Sequence, residues 1–130
     1  MIDWLGLNIV AILIGAVLYA VYGGIYYSVM LGKRKDLQFK QTEGPLKYIV
    51  SVIIAFISSF IVSAFVQAAG GESVLTGFAV GLGIGLSITL VYLKNTLFGL
   101  LSKKAFFIAA GDHLIVFTIL GGLHGFLIGM

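Results

Sequence analysis

Three stretches of this chain, Trp4 to Gly32, Tyr48 to Gly71 and Ala105 to Met130, contain no charged residue other than Asp112, and a fourth, Val74 to Leu93, contains none. Crossing the roughly 30 Å hydrocarbon layer of a bilayer takes about 20 helical residues, and each stretch is long enough. The basic residues lie between these stretches. Lys33, Arg34, Lys35, Lys40 and Lys47 form one window, and Lys94, Lys103 and Lys104 form the other. Lys and Arg are retained on the cytoplasmic side, so both windows are expected there and both termini outside.

The rest of the composition agrees. In 130 residues the hydrophobic share is 60%, the charged share 10% and the mean hydropathy +1.13, values outside the range of soluble domains. The expected fold is an all-α integral membrane protein, a four-transmembrane-helix bundle with short loops, forming a single domain over 1–130. The helices are placed at about 5–31, 46–69, 74–93 with an interfacial extension to 102, and 105–128. At 1.5 Å rise per residue they use nearly the whole chain, leaving no room for a soluble catalytic domain. The net charge of +3 is accounted for by topology anchors that also meet anionic lipid headgroups, and no nucleic-acid partner is expected. Without cysteine, disulfides and thiolate metal sites are excluded. The segment Met1-Ile2-Asp3-Trp4 lacks a basic n-region, so the first helix is expected to be retained rather than cleaved.

Trp4, with Tyr26 and Tyr27 at the opposite boundary, suits the interfacial aromatic belts. Pro45 suits the first turn of the second helix. Gly70-Gly71-Glu72-Ser73 reads as a tight turn that makes the second and third helices antiparallel neighbours. Two glycine rows at four-residue spacing, Gly77, Gly81, Gly85 and Gly121, Gly125, Gly129, read as helix-packing faces, because small residues let backbones approach closely in lipid. Ala16, Ala20 and Gly24 repeat the pattern on the first helix, and Gly83 adds a second small face to the third.

Ionisable groups within hydrocarbon are costly enough to be functional candidates. Asp112 lies eight residues after Lys104, about 12 Å along a helix. It must meet water, protein or a partner, which makes it a candidate proton carrier. His113 and His124, eleven residues apart, return to nearly the same helical face some 16 Å apart in depth. A relay between them is conceivable, as is plain hydrogen bonding to neighbouring helices. The spacing does not resemble a metal site, and neither metal nor cofactor is expected.

Ala55, Ser59, Ser63 and Gln67 form a small polar stripe on the second helix. An outer polar cluster of Asn8, Ser63, Gln67, Thr76 and His124 is geometrically possible. On the inner half the candidates around Asp112 and His113 are Tyr22, Tyr26, Tyr27, Tyr92 and Asn95. Tyr19, Tyr22 and Tyr26 share one face and offer hydroxyl partners for Asp112.

Tyr27-Ser28 followed by Gly32-Lys33, Asn95 with Phe98, and Gly111 followed by His113 resemble the bacterial membrane family catalogued as domain of unknown function 1761. The resemblance spans all four helices in order. Members carry Tyr-Ser-Pro near the end of the first helix and Asn-Ala-Gly-Tyr-His in the fourth. Here Val29 replaces the Pro, Ala109 the Asn and Asp112 the Tyr. Tyr27, Ser28, Asn95 and His113 are the site residues the resemblance implies, and it implies a bacterial inner membrane. It supplies no activity, which must be argued from the site.

Two functions follow as expectations. One is a small transporter or channel with proton-titratable Asp and His in the fourth helix. The other is a non-enzymatic structural or regulatory subunit that oligomerises, with parallel subunits, or docks a larger membrane partner through its glycine-rich faces. An intramembrane hydrolase on Ser59 or Ser63 with His124 lacks an oxyanion motif; no enzymatic activity is expected.

Overall fold

The computed structural model describes residues 3–32, 44–70 and 73–128. Lys33, Arg34, Lys35, Lys40, Gly71, Glu72 and Gly129 lie outside them. Four helices follow a 3-10 turn at Trp4–Gly6: α1 (Ile9–Gly32), α2 (Leu46–Ala68), α3 (Val74–Leu97) and α4 (Lys103–Ile128). All four are long and apolar enough to span a membrane. Helices suit lipid because they satisfy their backbone groups internally.

Polar residues mark the starts. The Asn8 side chain accepts from Ala11 N–H at 3.1 Å, the Ser73 hydroxyl accepts from Thr76 N–H at 3.1 Å, and the Ser102 hydroxyl accepts from Ala105 N–H at 3.1 Å. Each relieves an amide that the first turn leaves unpaired. Pro45 stands at the N-cap of α2 in helical geometry. Glycines in the left-handed region end two helices: Gly70 at φ 70° after α2 and Gly99 at φ 82° after α3. Such glycines let freed carbonyls be recaptured, as when Leu100 N–H donates to the Asn95 carbonyl at 2.9 Å. The apolar run past Lys94 is thus helical as far as Leu97, with a turn before Ser102 starts α4.

The bundle is centred on α4. In its most apolar window 44% of α4 is buried, against 33% for α2 and 17% for α1 and α3. It packs against all three other helices, most extensively against α3. The glycine rows cause this seam. A Cβ on Gly77 would overlap the Gly121 carbonyl, one on Gly81 the Phe117 carbonyl, and one on Gly125 the Ser73 carbonyl. Gly85 would bring a Cβ within 3.1 Å of the His113 carbonyl. The two backbones touch at van der Waals distance, the packing that drives association in lipid. These rows are therefore used within the chain. Although close in sequence, α2 and α3 touch only slightly, because the glycine seam draws α3 onto α4. Gly24 and Gly83 have nothing within 4 Å of a built Cβ.

A small apolar core, Val62, Val66, Val116, Phe117 and Leu120, joins α2 to α4. Many large apolar side chains point outward, among them Ile9, Leu75, Leu90, Phe107 and Phe126. On a membrane bundle these face acyl chains, where burial in protein gains little.

Candidate functional site

Among the described residues Asp112 is one of four buried polar or charged residues, with Ser59, Ser63 and His124. It sits on the α4 face turned to α1, where Tyr27 presents its hydroxyl to the carboxyl. Tyr19, Tyr22 and Tyr92 lie close enough to interact with it electrostatically. A cavity of about 210 Å³ opens beside it, lined by Tyr19, Ala20, Gly23, Tyr27, Ser51, Ile54, Asp112 and His113. A second cavity of about 210 Å³, nearly all apolar, is lined by Tyr27, Leu31, Leu101, Ala105, Ile108 and Ala109. Tyr27 is a wall of both.

His113 is fixed by its own helix. Its Nδ1 lies 2.8 Å from the Ala109 carbonyl, and a carbonyl can only accept, so Nδ1 carries the hydrogen and donates. The same Nδ1 is 3.6 Å from the Asp112 carboxylate, too far for a hydrogen bond. The ring packs edge-on to Tyr92 at 5.3 Å and is stacked with Phe117 at 6.1 Å.

Tyr26 takes a different partner from its neighbour. Its hydroxyl donates to the Ile108 carbonyl at 2.6 Å and lies over Gly111, where a Cβ would come within 2.7 Å of that oxygen. Of the tyrosine face proposed for Asp112, Tyr19 and Tyr22 reach its surroundings, whereas the hydroxyl turned to its carboxyl is that of Tyr27, one residue and about 100° around α1 from Tyr26. Ser28 is exposed and Asn95 half-buried; neither has a described side-chain bond to this group.

The second polar group lies towards the other end of the bundle. His124 is 1% exposed, and its Nε2 lies 3.0 Å from the Ser59 hydroxyl. Ser59 donates to the Ile12 carbonyl at 2.8 Å. Its single proton is thereby committed, so Ser59 accepts from His124 Nε2–H. A nucleophile–base pair needs the opposite order, with the imidazole lone pair facing the hydroxyl. The cluster links α1, α2 and α4. Gly15 closes it, since a Cβ there would overlap Ser59 and come within 2.9 Å of His124 Nε2.

The outer polar residues find separate partners. Asn8 caps α1. Gln67 exchanges two hydrogen bonds with the backbone of Asp3, accepting at 2.9 Å and donating at 3.1 Å. Thr76 accepts from the Ser73 hydroxyl at 3.0 Å. Ser63 is buried one turn beyond Ser59. Asn8, Gln67 and Thr76 have no described side-chain bond to His124, which is enclosed in the bundle.

Between the two polar groups stand Val116 and Leu120, 2% and 0% exposed. They occupy the i+4 row that joins Asp112 to His124 along α4. A path from His113 or Asp112 to His124 is interrupted by this apolar layer, to which Tyr19 adds an edge-on contact with Phe117 at 5.7 Å. No three metal-ligand side chains gather among the described residues.

Gly15, Gly23, Ser51 and Ile54 are site residues that sequence reasoning missed. A signal for Gly15 was present: Gly15, Tyr19, Tyr22 and Tyr26 follow one another at four-, three- and four-residue spacing, so Gly15 extends the tyrosine face towards the start of α1.

Compared with known proteins, residues 10–125 match the model of a family described as protein of unknown function, DUF1761. No curated protein and no solved structure matches the chain.

Proposed function

Because the chain belongs to the DUF1761 family, whose description assigns no activity, we propose a function from the site itself: a small polytopic membrane transporter with Asp112 as its coupling group. The observation that carries this reading is a buried carboxyl facing a cavity between membrane-spanning helices, with the Tyr27 hydroxyl turned to it. Burying an ionisable side chain there is costly, and a purely structural helix contact does not require one. The apolar layer of Val116 and Leu120 favours a carrier with a closed layer over an open channel. In the orientation expected from the basic windows, the Asp112 cavity lies in the cytoplasmic half of the membrane.

The test is flux in proteoliposomes. Wild type should carry protons or a solute, and Asp112→Asn should reduce the rate at least tenfold. Equal flux from wild type and an Asp112→Asn, His113→Ala variant, reconstituted at equal density, would overturn the mechanism.

A second reading is a non-enzymatic subunit, homo-oligomeric with parallel protomers or docked on a larger membrane protein. It is supported by the uncovered small-residue positions Gly24 and Gly83, since the main glycine rows are occupied within the chain. Crosslinking in native membranes that recovers only monomer counts against it.

A further inference from the structure

The Asp112 cavity joins three properties that together select a ligand class. Its one acidic group is Asp112, and among its lining residues the only basic-type side chain is His113, whose Nδ1 hydrogen is held by the Ala109 carbonyl. Its walls include the rings of Tyr19 and Tyr27 with the aliphatic surface of Ala20 and Ile54. Its volume, about 210 Å³, exceeds the roughly 150 Å³ of an apolar protein cavity that admits benzene. The space therefore accommodates a ring-sized body.

Charge decides which ring-sized body is favoured. Attraction between opposite charges is strong where water is scarce, and aromatic faces attract cations. A neutral molecule of the same shape leaves the carboxyl without a counter-charge, and an anion is repelled. The second cavity, which Tyr27 also borders, is almost wholly apolar.

We propose that the Asp112 cavity binds a monocationic amine with an apolar, ring-sized body, its ammonium against the Asp112 carboxylate and its body against the Tyr19 and Tyr27 rings. This names the substrate class of the carrier proposed above and rests on that reading. The ammonium group alone is shared with a lipid headgroup such as phosphatidylethanolamine, which is zwitterionic and lacks the ring-sized body.

The experiment is calorimetric titration of the whole protein in phosphatidylglycerol nanodiscs, with empty discs as the blank, using benzylammonium, benzyl alcohol and benzoate. Benzylammonium should bind saturably, at least tenfold more tightly than the alcohol, with benzoate weaker still. Asp112→Asn should reduce benzylammonium to the level of the alcohol. The three-ligand comparison on wild type stands even if the variant fails to fold. Equal affinities for the amine and the alcohol, or a folded Asp112→Asn protein that binds the amine unchanged, would overturn the proposal. Adding phosphatidylethanolamine to the discs separates the sources: competition with benzylammonium supports a lipid ammonium, and its absence a free amine. Failure of the two readings is distinguishable. Asp112-dependent proton flux without amine-selective binding defeats this inference alone, whereas amine-selective binding without flux defeats the transport reading and keeps the site.

Discussion

His124 and Ser59, 65 residues apart in the chain, meet with Nε2 3.0 Å from Oγ inside the bundle, both at most 1% exposed. The Ser59 hydroxyl donates a hydrogen bond to the Ile12 carbonyl, so one hydrogen-bond chain ties α4 through α2 to α1. Its removal has a predictable sign.

Ser59→Ala leaves the His124 Nε2–H without its acceptor in a site closed to water. The expected loss of stability is about 1–3 kcal/mol, the cost of an unsatisfied buried donor. Replacing both partners, as Ser59→Ala with His124→Leu, should cost less than the sum of the single changes, because no orphaned donor remains. Reversible unfolding in mixed detergent micelles measures all three variants; strict additivity would show that the two side chains do not interact.

Gly81 and Gly83, two residues apart on α3, should respond oppositely to the same substitution. At Gly81 an added methyl meets the Phe117 carbonyl, a backbone atom that cannot rotate away, whereas at Gly83 it meets open space. Gly81→Ala should therefore destabilise by about 1–3 kcal/mol, the usual cost of overpacking. Gly83→Ala should be neutral or stabilising by up to about 1 kcal/mol through helix propensity. Unfolding midpoints of the two variants check this, and similar losses at both would refute the α3–α4 seam.

Leu120 is fully buried in the apolar layer between the Asp112 cavity and His124. Leu120→Ala should cost about 2–5 kcal/mol, combining lost apolar burial with the cavity left behind. If the layer is the barrier of a carrier, the same change should also raise the passive proton leak of proteoliposomes. An unchanged leak in a folded variant would argue that the barrier lies elsewhere.

The absence of native cysteine makes orientation directly measurable. A single cysteine at Gln41 in the first basic window should react with a membrane-impermeant maleimide only after the cytoplasmic side is exposed. One at Ala69, the exposed C-cap of α2, should react from outside in intact cells. The reverse pattern would overturn the orientation expected from the basic windows.

What could be read from the sequence alone follows from local or one-dimensional physics. Uncharged length sets the spans, since a helix must be about 20 apolar residues long to cross the hydrocarbon. Turn chemistry marked the break between the second and third helices, as Ser73 and Gly70 show, whereas the stop at Gly99 was not anticipated, the third helix being expected to extend to 102. The small-residue pattern picked out Gly77, Gly81, Gly85, Gly121 and Gly125, which do lie close to a neighbouring helix, but also Gly24 and Gly83, which meet nothing within 4 Å.

Partner choice was decided only by the tertiary structure, because one residue along a helix is about 100° around it and small rotations exchange neighbours. Tyr26 and Tyr27 are adjacent in the chain, yet one bonds the Ile108 carbonyl and the other faces Asp112. His124 is tied to Ser59 and enclosed by Gly15, while Gln67 turns to the Asp3 backbone. The glycine rows of α3 and α4 could have met another chain. They meet each other, because close backbone contact between those two helices brings α4 to the centre and leaves α2 and α3 scarcely touching.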